Sequence, residues 1–389
     1  MTSPDIITGC TIFDGETFFE DCALVIKAGQ VVEIAPIASI EGTSRVLQLD
    51  GGLIAPGFVD LQVNGGGGVM LNDDPCVDTI RTICDAHGQF GTTSVLTTLI
   101  TDTPAAVQKA ISAAIEAQDL QIPGFMGLHL EGPHLATKRK GAHDPSLIRT
   151  MTDTDLDLLL VAKNQLAHLM ITVAPEAVSL KQISALAEAG VIVSLGHSDA
   201  GYEQARRAME AGARCVTHLF NAMSPLTHRE PGMVGAALLS ENLHAGLIAD
   251  GFHVDPAAIQ IALSAKSHPG RIFLVTDSMS TIGTDLQSFT LGGRTIFRSG
   301  GRLTLEDGTL AGADLDMASA VRFILSIDGV GRKEALNMAS LYPAICMGAE
   351  QTLGHLRPGA LANFVQLDDN FAIKNVWRKG VRLERSAPE

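Results

Sequence analysis

From Pro56-Gly57 onward, short apolar runs alternate with helix-patterned segments, and this rhythm restricts the fold more than any other feature of the 389-residue chain. The runs fall at residues 58–63, 92–98, 125–130, 169–173, 191–195, 215–217, 245–249 and 272–276. Strands separated mostly by helices predict an α/β chain folded as a parallel (β/α)8 TIM-like barrel, and a span of roughly 300 residues suits such a barrel with insertions. The rival is a doubly wound open sheet, which would carry a spaced glycine fingerprint after its first strand. Residues Gly65 to Gly68 do follow a strand, but they lack that spacing and the lysine of a phosphate loop.

Outside this rhythm the texture changes. Residues 1–52 hold β-like runs at 6–7, 23–26, 31–34 and 46–49, broken by Gly15, Gly29, Pro36 and Gly42, and the tail is β-like again at 364–367 and 373–376. The expectation is a small discontinuous β-sandwich domain formed by both termini (1–52 plus 355–389) beside a barrel domain at 53–354. Two stretches interrupt the barrel: a loop at 132–149 carrying Lys138, Arg139, Lys140 and His143, and a stretch at 289–310 whose glycine pairs suggest an inserted hairpin. Helical texture returns at 315–327 and 332–340.

The net charge of −15, from 28 basic against 43 acidic residues, argues against a general nucleic-acid or membrane surface. Any anionic ligand must therefore meet a local cationic pocket. The six cysteines form no CxxC pair, there is no basic-then-apolar amino-terminal pattern, and no apolar run reaches membrane-spanning length. Reduced thiols in a cytoplasmic protein are expected.

Functional groups of such a barrel collect at the carboxyl ends of its strands. The stretch at 191–223 reads as strand, helix, strand, with Asp199 as helix cap, Ala205, Ala208 and Met209 as the apolar stripe and Gly212 as terminator. Each strand ends in a histidine, His197 and His218. Parallel neighbours lie ~4.8 Å apart, so the two imidazoles are placed to share one ion. The other strand ends offer Gln62, Asn64, Glu131, Asp250, His253 and Asp277. Glu131 is the third ligand candidate, because a buried carboxylate is costly without a cation; the alternative is an ion pair with Lys138 or Arg139. His129 shares its strand face as a supporting group. Asp277 is placed to act as general base to water at such an ion, the alternative being a turn-capping aspartate.

Taken together, the motifs PGFVDLQVNG, GLHLEGP, SLGHSDA, THLFNAM, REPG, ADGFHVD, VTDSMS and LAGA resemble the N-acetylglucosamine-6-phosphate deacetylase family of the amidohydrolase superfamily. The resemblance spans nearly the whole chain. It implies a metal-dependent barrel, dimeric as a rule, that hydrolyses N-acetyl-D-glucosamine 6-phosphate to glucosamine 6-phosphate and acetate in amino-sugar catabolism and cell-wall sugar recycling. Carried over by motif, Glu131, His197 and His218 hold one divalent ion per subunit, zinc first and iron or manganese depending on supply, and Asp277 is the acid/base. Substrate contacts fall to Ala142, His143, Asn221, Ala222, Arg229 and Asp250, to His253, which polarises the acetyl carbonyl, and to the turn Leu310, Ala311 and Gly312. Arg229 is a fixed cation suited to a phosphate.

One departure from the wider superfamily is Gln62-Val63-Asn64, where a His-x-His pair commonly binds a second metal. Neutral amides are poor zinc ligands, so a single-metal site is expected. The rival readings are a deacetylase for the galactosamine isomer, a non-catalytic barrel scaffold, which would be expected to lose its ligands, and a cyclic-amide hydrolase, which leaves THLFNAM and the REPG arginine unexplained.

Overall fold

The computed structural model describes residues 5–40 and 45–384. One eight-stranded parallel sheet runs in sequential order through β1 (Phe58–Val63), β2 (Thr92–Ile100), β3 (Phe125–Glu131), β4 (Leu169–Val173), β5 (Ile192–Leu195), β6 (Cys215–Val216), β7 (His244–Ile248) and β8 (Ile272–Val275). It curls until β8 meets β1. There the Asp277 N–H donates to the Gln62 carbonyl (2.9 Å) and the Asn64 N–H to the Ser278 carbonyl (2.9 Å). Beneath this seam, buried Asp60 accepts from the Thr276 N–H (3.2 Å) and hydroxyl (2.5 Å).

The strands read as unbroken apolar runs because helices cover one face and the barrel interior the other. Phe58–Val63 is buried at every residue, and the helix Val77–Gly88 presses Ile80 and Ile83 against the sheet. Each such side chain contributes about 1.5–3 kcal/mol by leaving water. The unit at 191–223 forms strand, helix (Tyr202–Glu210) and strand, with Ala205 and Ala208 buried. Its cap differs from expectation. Gly201 occupies the cap position without a side-chain bond, and the Tyr202 N–H is received by Glu230 (2.7 Å). Asp199 is drawn away because two cations of the 132–149 loop, Lys138 and Arg139, pair with it.

The segment after β8 is larger than a hairpin. Ser288–Leu291, Arg294–Ser299, Arg302–Thr304 and Leu310–Ala313 form a four-stranded antiparallel sheet, whose last strand bridges back to the barrel from Ala313 to Ser278. Leu291, Ile296, Leu303 and Ala311 pack on Met70, Ile100 and Met279, which roofs one side of the barrel mouth. The helices Met317–Leu325 and Arg332–Ala339 follow.

The terminal segments build two sheets. Asp5–Thr8, Cys22–Lys27, Gln30–Pro36 and Arg45–Gln48 make one; Thr11–Phe13, Phe18–Phe19, Leu53–Pro56, Phe364–Leu367, Ile373–Arg378 and Val381–Arg382 make the other. Ile7, Leu24 and Ile26 of the first share a core with Ile12, Ile54, Phe364 and Trp377 of the second. We propose that these two sheets are the discontinuous sandwich domain; Leu53–Pro56 belongs to its sheet and leads directly into β1. Gly42, one of the expected breaks, lies outside the described residues. Among the described residues no helix is long and apolar enough to cross a membrane.

Candidate active site at the barrel mouth

The carboxyl ends of β3, β5 and β6 bring Glu131, His197 and His218 into contact. Glu131 Oε1 lies 3.2 Å from His197 Nε2 and 3.1 Å from His218 Nε2, and the two imidazole nitrogens are 3.0 Å apart. All three side chains are buried. His197, His218 and Asp277 each take a positive φ, at 46°, 30° and 51°. Left-handed backbone is uncommon outside glycine and concentrates at functional sites. It turns the chain sharply at each strand end, and these three side chains line the cavity at the mouth.

This triad fits a divalent cation. His197 Nδ1 donates to the Arg139 carbonyl (2.8 Å), so in the neutral ring Nε2 presents a bare lone pair towards the carboxylate and the second imidazole. Donor atoms of a tetrahedral zinc site stand about 3.3 Å apart, given ligand bonds of ~2.0–2.1 Å. His143 also stands within reach: Glu131, His143 and His197 each offer a ligand atom, all within 4.8 Å of one another. His143 is nevertheless the more distant imidazole, with Nε2 3.9 Å from Glu131 Oε2, and its Nδ1 is held by Thr101 Oγ1 at 2.7 Å. The triad with His218 is therefore the tighter one. Lys138 and Arg139 pair with Asp199, which removes the ion-pair alternative for Glu131.

Electrostatics follow from burial and proximity. Burial pushes the Glu131 carboxyl up, but hydrogen bonds and charge from His197 and His218 outweigh it and hold the group well below its usual range. Burial pushes His218 down, and Glu131 more than reverses this. Asp277 is pushed up to about 6, first by burial and then by the charge of Glu131. Its Oδ1 accepts from Asn64 Nδ2 (2.7 Å) and Gln62 Nε2 (3.0 Å), and the Gln62 amide also reaches Glu131 Oε1 (3.1 Å). The Gln62 amide thus bridges two carboxylates that would otherwise repel.

Behind the triad, His129 donates from Nδ1 to the Leu61 carbonyl (3.1 Å), so its Nε2 accepts from Thr172 (2.7 Å). Thr172, Thr217 and Ser194 continue this network through hydroxyl contacts of 2.6 Å. His129 therefore lies beneath the site, pushed down to about 4 by burial.

Of the other residues singled out in the sequence, Ala142, His143, Asn221, Ala222, His253, Leu310 and Gly312 line the same cavity as Asn64, Glu131, His197, His218 and Asp277. Asp250 stands behind His253, accepting from its Nδ1 (2.6 Å) and from the Phe252 and His253 N–H groups (both 2.8 Å). Ala311 is packed into the inserted sheet. Arg229 is exposed on the segment before the helix Gly232–Leu239 and lies away from the cavity lining.

Sequence reasoning passed over Arg294, whose guanidinium donates to the Ala142 carbonyl at the cavity rim, and the apolar lining from Ile100, Ile248, Met279 and Leu291. Two glycines immediately before Arg294 were the only available signal.

A parallel barrel with a Glu-His-His cluster and a buried aspartate at its mouth defines a class of metal-dependent hydrolase sites. Residues 53–383 match the amidohydrolase family, and the chain belongs to it. It is 42% identical over 380 residues to the N-acetylgalactosamine-6-phosphate deacetylase of a Shewanella species, covering 97% of this chain and 95% of that one. Among solved structures it resembles the N-acetylglucosamine-6-phosphate deacetylase from Pasteurella multocida, with a TM-score of 0.94, 32% identity and coverage of 98% and 99%. A variant of the Mycobacterium smegmatis enzyme of that name, in complex with N-acetyl-D-glucosamine 6-phosphate, matches with a TM-score of 0.88, 31% identity and the same coverage.

Proposed function

We propose that the chain hydrolyses the acetamide of N-acetyl-D-glucosamine 6-phosphate, releasing acetate and glucosamine 6-phosphate. The observation that carries this reading is the convergence of Glu131 Oε1 with both imidazole nitrogens at 3.0–3.2 Å, beside Asp277, in a family whose matched relatives are amino-sugar phosphate deacetylases. The relative at 42% identity favours a second reading, the same reaction on the galactosamine isomer.

Glu131, His197 and His218 would hold one ion per subunit, zinc first, with iron or manganese accepted by the same donors. When bound, such an ion lowers the pKa of a water and draws charge from an acyl oxygen. Asp277 takes the proton from the attacking water and returns it to the amine nitrogen as the C–N bond breaks, so one carboxylate serves twice. His253, its ring oriented by Asp250 through Nδ1, lines the cavity and is the proposed contact to the acetyl oxygen.

The phosphate needs a cation in this acidic chain. Arg229, exposed and without a hydrogen bond or ion pair among the described residues, is the proposed contact, and in a homodimer it would be free to reach a neighbouring subunit's site. A cytoplasmic location suits six free cysteines and a sugar-phosphate substrate. The scaffold reading would require loss of the ligands or of Asp277, and all four residues are in place.

Acetate release from the two 6-phosphorylated N-acetyl sugars, and from N-acetylglucosamine without phosphate, tests the proposal. Turnover of a phosphorylated sugar far above the unphosphorylated one is expected, and the ratio between isomers separates the two readings. Absence of acetate release from both phosphorylated sugars, in protein carrying its metal, overturns it.

A further inference from the structure

Asn64 stands where two demands of the reaction meet. Its side chain is 1% exposed and lines the cavity with Glu131, His218 and Asp277. Its orientation is fixed, because Nδ2 must be the end facing Asp277 Oδ1 at 2.7 Å; an amide oxygen there would oppose a carboxylate oxygen. The other end, Oδ1, is buried and has no hydrogen-bond partner among the described residues. Buried acceptors are nearly always satisfied, and an orphan costs about 1–3 kcal/mol, so one left at a substrate cavity points to a donor that the ligand brings.

The scissile acetamide has one donor, its N–H. Addition of water to the carbonyl carbon turns that nitrogen into an amine whose lone pair must accept a proton as the C–N bond breaks. Asp277 Oδ1 already holds both amides, so the proton travels on Oδ2. An oxygen delivering a proton to the nitrogen lone pair is not available to accept from the same nitrogen's hydrogen. Glu131 Oε1 is occupied by His197, His218 and Gln62. The carbonyl of Ala142 is taken by Arg294.

We infer that Asn64 is a substrate-orienting residue whose Oδ1 accepts the N–H of the scissile acetamide while its Nδ2 holds Asp277. One planar amide then fixes the nitrogen's hydrogen and the proton carrier relative to each other, which turns the lone pair towards Asp277 Oδ2 as it forms. The electron balance is that of ordinary amide hydrolysis: water supplies hydroxide to the acyl carbon and one proton, through Asp277, to the leaving amine. This inference rests on the proposed deacetylation but concerns which residue reads the amide hydrogen.

The test compares two acyl substrates in the metal-loaded enzyme: N-acetylglucosamine 6-phosphate and its oxygen ester analogue, 2-O-acetylglucose 6-phosphate, which has no hydrogen on the scissile heteroatom. Asn64→Leu removes donor and acceptor, whereas Asn64→Asp keeps an acceptor and removes the donor to Asp277. With Leu, kcat/KM for the amide is expected to fall by about 100-fold, the usual scale for one lost transition-state hydrogen bond, and for the ester several-fold less. With Asp both substrates fall together, so the amide-to-ester ratio stays near that of the parent enzyme. Metal content, measured alongside, is expected to hold for both, whereas the melting temperature is expected to fall for Asn64→Asp, which sets a carboxylate against Asp277.

An equal loss on amide and ester for Asn64→Leu overturns the inference and leaves Asn64 as a support for Asp277 alone. Rates within twofold of the parent on both substrates remove it altogether. Should the Leu variant misfold, Asn64→Ser supplies the same comparison, with its ratio expected between the two. A parent enzyme that releases acetate from neither amino-sugar phosphate refutes the deacetylase reading, a result distinct from any of these.

Discussion

The two ends of the barrel treat buried polar groups in opposite ways. At the amino-terminal end, Arg378 is 6% exposed and reaches between helix and strand to give hydrogen bonds to the carbonyls of Pro123 (3.0 Å), Cys84 (2.6 Å) and Thr92 (3.0 Å). Lys266 similarly donates to the Ser240 (2.6 Å) and Ser267 (3.0 Å) carbonyls, and burial pushes it down to about 8. Buried cations there satisfy main chain. At the carboxyl-terminal end, side chains face side chains: two histidines on one glutamate, two amides on one aspartate oxygen, with Asn64 Oδ1 and His218 Nδ1 left over. At the first end the partners are carbonyls of the fold itself, with Arg378 Nε left over. At the second, ionisable side chains face one another around a cavity, the arrangement characteristic of sites that bind something from outside.

Substitutions at the two ends are therefore expected to separate activity from stability. The largest effect is expected for Asp277→Asn, with kcat reduced by about 10³-fold or more while metal per subunit and melting temperature hold; a near-normal rate would remove Asp277 from the mechanism. His218→Ala is expected to cost more than the 10–100-fold in metal affinity typical of supporting groups, read as metal retained after dialysis. Full retention would transfer its place to His143.

At the other end the pattern inverts. Arg378→Leu leaves three carbonyls without their donor, for an expected loss of about 3 kcal/mol in unfolding free energy, with kcat/KM of the folded protein within twofold of the parent. A rate loss as large as the stability loss would dissolve the distinction.

The smallest effect is a pH dependence. His244, at the start of β7, is pushed down to about 4 by burial and by the charges of Arg214, Lys266 and Arg271. Its unfolded form titrates near 6.5, so between those values the unfolded chain binds more protons. Stability is complete above that window and falls as pH drops through it, by about 1.4 kcal/mol per pH unit for one such group. The melting temperature of His244→Gln should therefore change less than the parent's between pH 7.5 and 5. Parallel curves would assign the acid sensitivity elsewhere.

The barrel was legible in the sequence because burial on both faces writes each strand as an apolar run, and the observed β1 and β4 match the runs at 58–63 and 169–173. Strand ends were less so. β6 has two residues, since His218 at φ 30° bends the chain as soon as Thr217 has entered the interior network. The inserted sheet was half visible. Its glycine pairs mark turns, but the strand Leu310–Ala313 owes its existence to pairing with Arg302–Thr304, a contact local pattern does not encode. Asp199 was misread for the same reason: capping preference is local, whereas Lys138 and Arg139 arrive from a loop about sixty residues away.

By itself, the sequence determined the alternating architecture, the residues available at each strand end and the motif set that marks the family, because periodicity and residue type are properties of the chain. Only the tertiary structure decided which of those residues meet. It brought Glu131, His197 and His218 to 3.0–3.2 Å, gave Gln62 and Asn64 to Asp277, and left Arg229 on the surface. Such distances depend on how far the sheet curls before β8 reaches β1, and that closure is the joint product of every strand and helix in the ring.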